Sequence, residues 1–125
     1  MTDFGIFQAL EKKLCQLHPH VTIYGQSVPE MNPPYAVLQL GILEKKLIPQ
    51  KMASQAIILD LVSRFKGEAE IQEFEQQTRK AFEGMKLKLD KNVLGLIVWE
   101  ESELRLEKDN ITRVAQLKFT LRLKL

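Results

Sequence analysis

The stretch SQAIILDLVSRFKGEAEIQEFEQQTRKAFEGMK, running from Ser54 to Lys86, decides the fold. Its first part alternates. Ile57, Leu59, Leu61 and Phe65 fall on one side of an extended chain, and Asp60, Arg64 and Lys66 fall on the other, which is the period of a half-buried strand. Gly67 breaks that period. From Glu68 onward Ile71, Phe74, Ala81, Phe82 and Met85 recur at helical spacing. Glu68 and Glu70 lie in the first turn, where the helix dipole favours carboxylates. A strand that turns through one glycine into an amphipathic helix supplies a sheet and its cover, so the fold class is α+β.

Toward the C-terminus, Gly84 or the residues just past Met85 stop the helix, and Leu87 to Asn92 read as a lysine-marked connection. Val93 to Trp99 is apolar throughout, Glu100-Glu101-Ser102-Glu103 is acidic, and Leu104 and Leu106 resume alternation. This strand leaves the core midway. Glu107-Lys108-Asp109-Asn110 supplies turn residues before a last strand, Thr112 to Leu125, in which Leu117, Phe119, Leu121, Leu123 and Leu125 alternate with Gln116, Lys118, Thr120, Arg122 and Lys124. The two strands predict an antiparallel hairpin.

Toward the N-terminus, Glu44 to Ala53 carries Lys45, Lys46, Pro49 and Lys51 and reads as a mobile polar loop. Tyr35 to Leu43 is nearly all apolar and reads as an interior strand in which Gly41 marks a bulge. Gly25 to Pro34 holds Pro29, Pro33 and Pro34 and reads as a long loop after a short strand, Val21 to Tyr24. Thr2 or Asp3 caps a first helix with Phe7, Leu10, Leu14 and Leu17 on its apolar face; Pro19 ends it at His18. The architecture expected is a mixed, mainly antiparallel sheet of about five strands with two helices packed on one face. Leu10, Leu14, Leu59, Leu61, Phe74, Phe82, Phe119 and Leu121 are its expected core.

A chain of 125 residues, 45% hydrophobic and 27% charged, fits one domain spanning residues 1–125. Eighteen basic against 16 acidic residues leave a formal net charge of +2, which does not point to a dedicated nucleic-acid or membrane-surface binder. Cys15 is the only cysteine and reads as a small buried apolar residue in a chain that folds in a reducing compartment. The longest apolar run, Val93 to Trp99, is too short to span a bilayer, and Met1 to Phe4 shows no basic segment followed by an apolar one. Neither export nor a membrane is expected.

Chemistry is sparse. His18 and His20 flank Pro19 with no nearby cysteine or carboxylate to complete four ligands, so they read as loop histidines rather than a metal site. The glycines are scattered singly, with no phosphate-cradling loop and no Gly-x-Ser-x-Gly turn. Glu100, Glu101 and Glu103 form the one dense acidic cluster. On a strand leaving the core they suit a solvated or intersubunit face better than a calcium site or a general base, which needs a pocket that shifts its pKa. Lys45, Lys46 and Lys51, and again Lys86, Lys88 and Lys91, lack the interleaved aromatics that stack bases. Trp99 reads as a core residue. No catalytic residue, metal or cofactor is expected.

Three segments, Val21-Thr22-Ile23-Tyr24, Pro34-Tyr35-Ala36-Val37 and Leu61-Val62-Ser63-Arg64-Phe65-Lys66-Gly67-Glu68-Ala69, resemble in order and spacing the tail-completion or tail-to-head joining proteins of tailed phages, also called tail terminators. That family's plan is a helix, a short strand, a proline loop, a strand, a mobile loop, and a strand leading through glycine into a helix. Val62 stands where the family often carries a tryptophan ahead of the serine. The resemblance implies a structural protein rather than an enzyme. It implies a ring of identical subunits, a hexamer, that caps the finished tail tube and joins it to the head connector or stopper, with DNA only in transit. Phages, prophages and gene-transfer-like particles carry similar proteins. The implied location is the host cytoplasm during assembly and the tail-head junction of the virion. The alternative is a small cytoplasmic regulatory domain that binds a ligand or peptide between the Glu44 to Ala53 loop and the helix.

For a ring, the interface and loop candidates are Lys45, Lys46, Lys51, Glu100, Glu101, Glu103, Arg113, Lys118, Arg122 and Lys124. The acidic residues lie on one strand of the terminal hairpin and the last four basic ones on its partner. A head-to-tail contact between copies would join opposite charges, and pairing across the hairpin within one chain is the alternative.

Overall fold

The computed structural model describes residues 3–25, 34–42, 44–46, 52–64, 69–90 and 93–124. In chain order the elements are α1 (Asp3–Leu17), β1 (Thr22–Tyr24), β2 (Tyr35–Leu40), β3 (Glu44–Lys46), β4 (Met52–Ser63), α2 (Ala69–Phe82), β5 (Lys86–Asp90), β6 (Val93–Leu106) and β7 (Arg113–Lys124). The strands form one mixed sheet in the order β1-β2-β4-β7-β6-β5, with β3 pairing β4 beyond the end of β2. Among the described strands only β1 and β2 pair in parallel.

The opening stretch supplies the centre. β4 pairs β7 from Met52↔Lys124 to Ser63↔Arg113 without a break, and the odd-numbered residues of both strands face the helices. Ile57, Leu59, Leu61, Leu117, Phe119, Leu121 and Leu123 belong to one buried cluster with Ile6, Leu10 and Leu14 of α1 and Ile71 and Phe82 of α2. Both helices therefore cover one face, as the two apolar stripes require. Of the expected core, Phe74 is the one residue only partly buried; it packs against the cluster from the side. Trp99 also packs there, half-buried. α1 touches β1 and β2 at one margin and β5 at the other, so the sheet curls around it.

Three sequence expectations need correction. Among the described residues the sheet holds seven strands, close to the about five expected, and two of them are short stretches read as connections. Glu44 to Ala53 is not a loop throughout: Glu44–Lys46 pairs with Met52–Ser54 as β3. A three-residue polar strand carries no alternation to read. Between Leu40↔Ile57 and Glu44↔Ser54 the outer strand holds one more residue than β4, which is a bulge. Gly41 sits in it, donating its amide to the Ala56 carbonyl at 2.8 Å and accepting the Gln55 side-chain amide at 2.8 Å. Likewise Lys86–Asp90 is a strand, β5, paired with the start of β6. Cys15 is exposed, because the buried line of α1 runs Ile6, Leu10, Leu14 and the next residue turns about a quarter of the way round the helix. Gly67 and Phe65, the proline loop at 26–33, and Lys51 lie outside the described residues.

Gly84 ends α2 with a φ of +77°, a left-handed conformation that favours glycine. Its amide donates to the Ile97 carbonyl at 2.8 Å, and the Ile97 amide donates to the Met85 carbonyl at 3.0 Å. The helix stop is thus stitched to β6. At the other end of that strand, the Asp109 carboxylate receives the Ile111 and Thr112 amides and the Thr112 hydroxyl at 2.9, 2.8 and 2.6 Å. The Thr112 hydroxyl and these amides hold the Asp109 carboxyl down to about 2, so the turn keeps its anion through mild acid.

Candidate functional site

The face of the sheet away from the helices is a ladder of charged and polar side chains set by strict cross-strand register. Asp60, Gln116 and Glu103 share one rung, Ile58, Lys118 and Glu101 the next, and Ser54, Arg122 and Leu96 lie further down. The Gln116 side-chain amide donates to the Asp60 carboxylate at 3.0 Å. Lys118 and Glu101 form an ion pair at 3.1 Å. For these two residues the pairing lies within one chain. Exposed as they are, the contact stabilises by at most ~1 kcal/mol and weakens with salt.

The remaining candidates spread over the sheet. Glu100 is the extra residue of a bulge between Trp99↔Phe119 and Glu101↔Lys118, and it is exposed. Glu103 is exposed opposite Gln116. Arg122 is exposed beside Leu96; Arg113 is half-buried on the helix side, at the rung of Ser63 and Leu106. Lys124 stands between Met52 and Leu94. Lys45 and Lys46 lie on β3 at the opposite margin. The register therefore separates these residues into an acidic margin, a basic interior strand and a lysine-bearing far margin, rather than gathering them in a pocket.

Sequence reasoning missed a second locus. His18 is buried; its Nε2 shares a hydrogen bond of 2.8 Å with the Thr78 hydroxyl, and its ring lies 4.9 Å from that of Phe74. It closes the inner wall of a cleft of about 380 Å³ between the end of α1 and the start of α2, lined also by His20, Glu70, Glu73 and Gln77. Ser63 donates to Glu70 from the sheet below. Burial lowers the His18 pKa below 6.5, opposed by the nearby Glu73 carboxylate. The folded state thus holds a neutral imidazole. Stability from this residue is complete above 6.5 and is lost as pH falls through the lowered value, because the unfolded chain takes the proton first. Thermal unfolding from pH 8 to 5 should show this fall, and His18→Gln should flatten it; an unchanged profile would refute the assignment.

A third cluster sits where α2 meets β6. Glu75, buried, lies 3.6 Å from Arg79, whose guanidinium stacks 5.2 Å from the Trp99 ring centre. The Trp99 indole donates to the Ser102 hydroxyl at 3.0 Å. These contacts fix the strand where it leaves the core. Among the described residues no three His, Cys, Asp or Glu side chains are placed to hold a metal ion, and no helix is long and apolar enough to cross a membrane. A second cleft, of about 570 Å³, lies beside Phe7, Leu38 and Gly41.

Comparison with known proteins supports the fold. The chain is similar to one from the virion of a native gene transfer agent particle, with a TM-score of 0.63 and 16% sequence identity, over 90% of this chain and 84% of that one. No family model matches, and no curated protein matches.

Proposed function

We propose that the chain is a virion structural protein that forms a ring at the end of a phage or phage-like tail tube and joins the tail to the head. The observation that carries this reading is the likeness of fold, across most of both chains, to a chain of a gene transfer agent virion. Three further features support it. The segments that resemble tail terminators fall on β1, β2 and the end of β4. Apart from Arg113 on the helix side and Lys51 outside the described residues, the charged candidates lie on sheet margins and on an open face, where they can meet other proteins. Polar groups near the core bond to one another, as Trp99 with Ser102 within β6 and His18 with Thr78 of α2 do.

On this reading the subunit performs no chemistry. Its partners are copies of itself, a tail tube protein and a head connector or stopper, and DNA passes through the ring without being read. Particles assembled without this chain should carry tails of uncontrolled length that fail to join heads, visible by electron microscopy, and adding the purified chain should restore joining. Tails of normal length joined to full heads in its absence would overturn the proposal.

A further inference from the structure

We infer that the free margin of β6 is a strand-addition site for a second copy of this chain, and that it receives the opposite margin, β2 with β3. The inference rests on the ring-forming reading above and specifies its contact. Among the described residues, β5 covers β6 only along Val93–Leu96, and Gly84 and Met85 extend that cover to Ile97. Among the described residues, 98–106 have a strand neighbour on one side only, β7. At the other margin β1 covers Tyr35–Val37, while among the described residues Leu38–Leu40 and Glu44–Lys46 pair only with β4.

The two free stretches occupy opposite corners. β1 lies at the level of Val114 to Gln116 and β5 at that of Arg122 to Lys124. α1 ties these two corners together by touching both short strands. The other diagonal, with residues 98–106 at one end and β3 at the other, is left pointing outward. It carries exposed apolar side chains at both ends, Leu104 at 45% and Leu106 at 46% on β6 and Ile42 at 86% beside the bulge of the far margin, while Leu94, Leu96 and Ile111 are exposed elsewhere. An uncovered apolar strand margin is a template for pairing.

Charge selects the partner. Glu100, Glu101 and Glu103 against Arg105 leave the free stretch of β6 net acidic, and Lys45 and Lys46 against Glu44 leave β3 net basic. Joining two β6 margins would set acidic rows against each other, which disfavours a two-fold dimer. Joining β6 to β3 sets acid against base, and a contact between two different surfaces is the kind that propagates from copy to copy and closes into a ring. Strand sense agrees. β2 and β3 oppose β4, β4 opposes β7, and β7 opposes β6, so β6 runs opposite to the far margin. Copies rotated about an axis inclined to the strands bring the two diagonal corners to one level, and the joined strands then run in opposite senses.

Two charge reversals test this on the full chain at low ionic strength: Glu100→Lys with Glu103→Lys in one variant, Lys45→Glu with Lys46→Glu in the other. Glu101 is left in place because it pairs with Lys118. Circular dichroism checks that each variant folds, and native mass spectrometry and light scattering report the oligomer. Each variant alone should associate about tenfold or more weakly than the unaltered chain, and an equimolar mixture should regain assembly as alternating copies. Hydrogen exchange on the unaltered chain gives a readout independent of the variants: amides of 98–106 and of 38–46 should both gain protection on assembly. A ring that forms with both stretches unprotected, or that ignores both reversals, overturns the strand contact and leaves the ring reading standing. A chain that stays monomeric even with tail tubes present overturns both.

Discussion

Phe82→Ala is expected to lower the unfolding free energy by about 3–5 kcal/mol. Phe82 is fully buried at the last position of α2, and its ring meets that of Phe119 at 5.4 Å between centres and 50° between planes. Truncation removes the aromatic area and leaves a cavity between helix and sheet, because Gly84 and Met85 anchor the helix end to Ile97 and keep the site from collapsing. Against a total of about 5–15 kcal/mol for a typical domain, the loss takes a large share of the stability. Urea unfolding should show a lower midpoint with an unchanged slope. A loss below about 1 kcal/mol would mean that the helix does not pack as described.

Leu59→Ala should cost a comparable amount, about 2–5 kcal/mol, whereas Leu94→Ala should stay within about 0.5 kcal/mol. Both are leucines on long strands. Leu59 is fully buried between Leu38 and Leu117 on the helix-covered side. Leu94 is 58% exposed on the open side, across from Lys124. The pair of measurements tests which face is the core, and similar losses from both would refute the assignment.

Much of this arrangement was legible in single residues. Ile57, Leu59 and Leu61 alternate because one face of β4 meets water-filled space and the other meets helices, and Leu117 to Leu123 repeat the pattern for the same reason. The departure of β6 from the core after Trp99 was visible as three glutamates, and Gly41 marked its bulge. What was not legible depends on neighbours. Lys86-Leu87-Lys88 alternates too, but only pairing with Leu96 and Leu94 makes it a strand. Cys15 follows a buried leucine, yet helix geometry turns it to solvent. His18 and Thr78 stand 60 residues apart, and no local spacing announces that a loop-like histidine is sealed against a helix. The candidate interface residues could be named from charge, but their separation onto two margins came from register alone.

The long ladder between β4 and β7 also governs the order in which the molecule can be made. Ile57 finds Phe119, and Leu59 finds Leu117, only after α2, β5 and β6 have been synthesised between them. Until then β4 lacks its neighbour on one whole side, and the helices have only a partial floor. Closing so long a stretch of chain costs entropy before contacts repay it and slows folding. On the ribosome, the central strand of the sheet therefore waits for β7 with its apolar face open to chaperones or to other nascent chains. Closure of the sheet by β7 is then also the step that fixes both margins of the subunit.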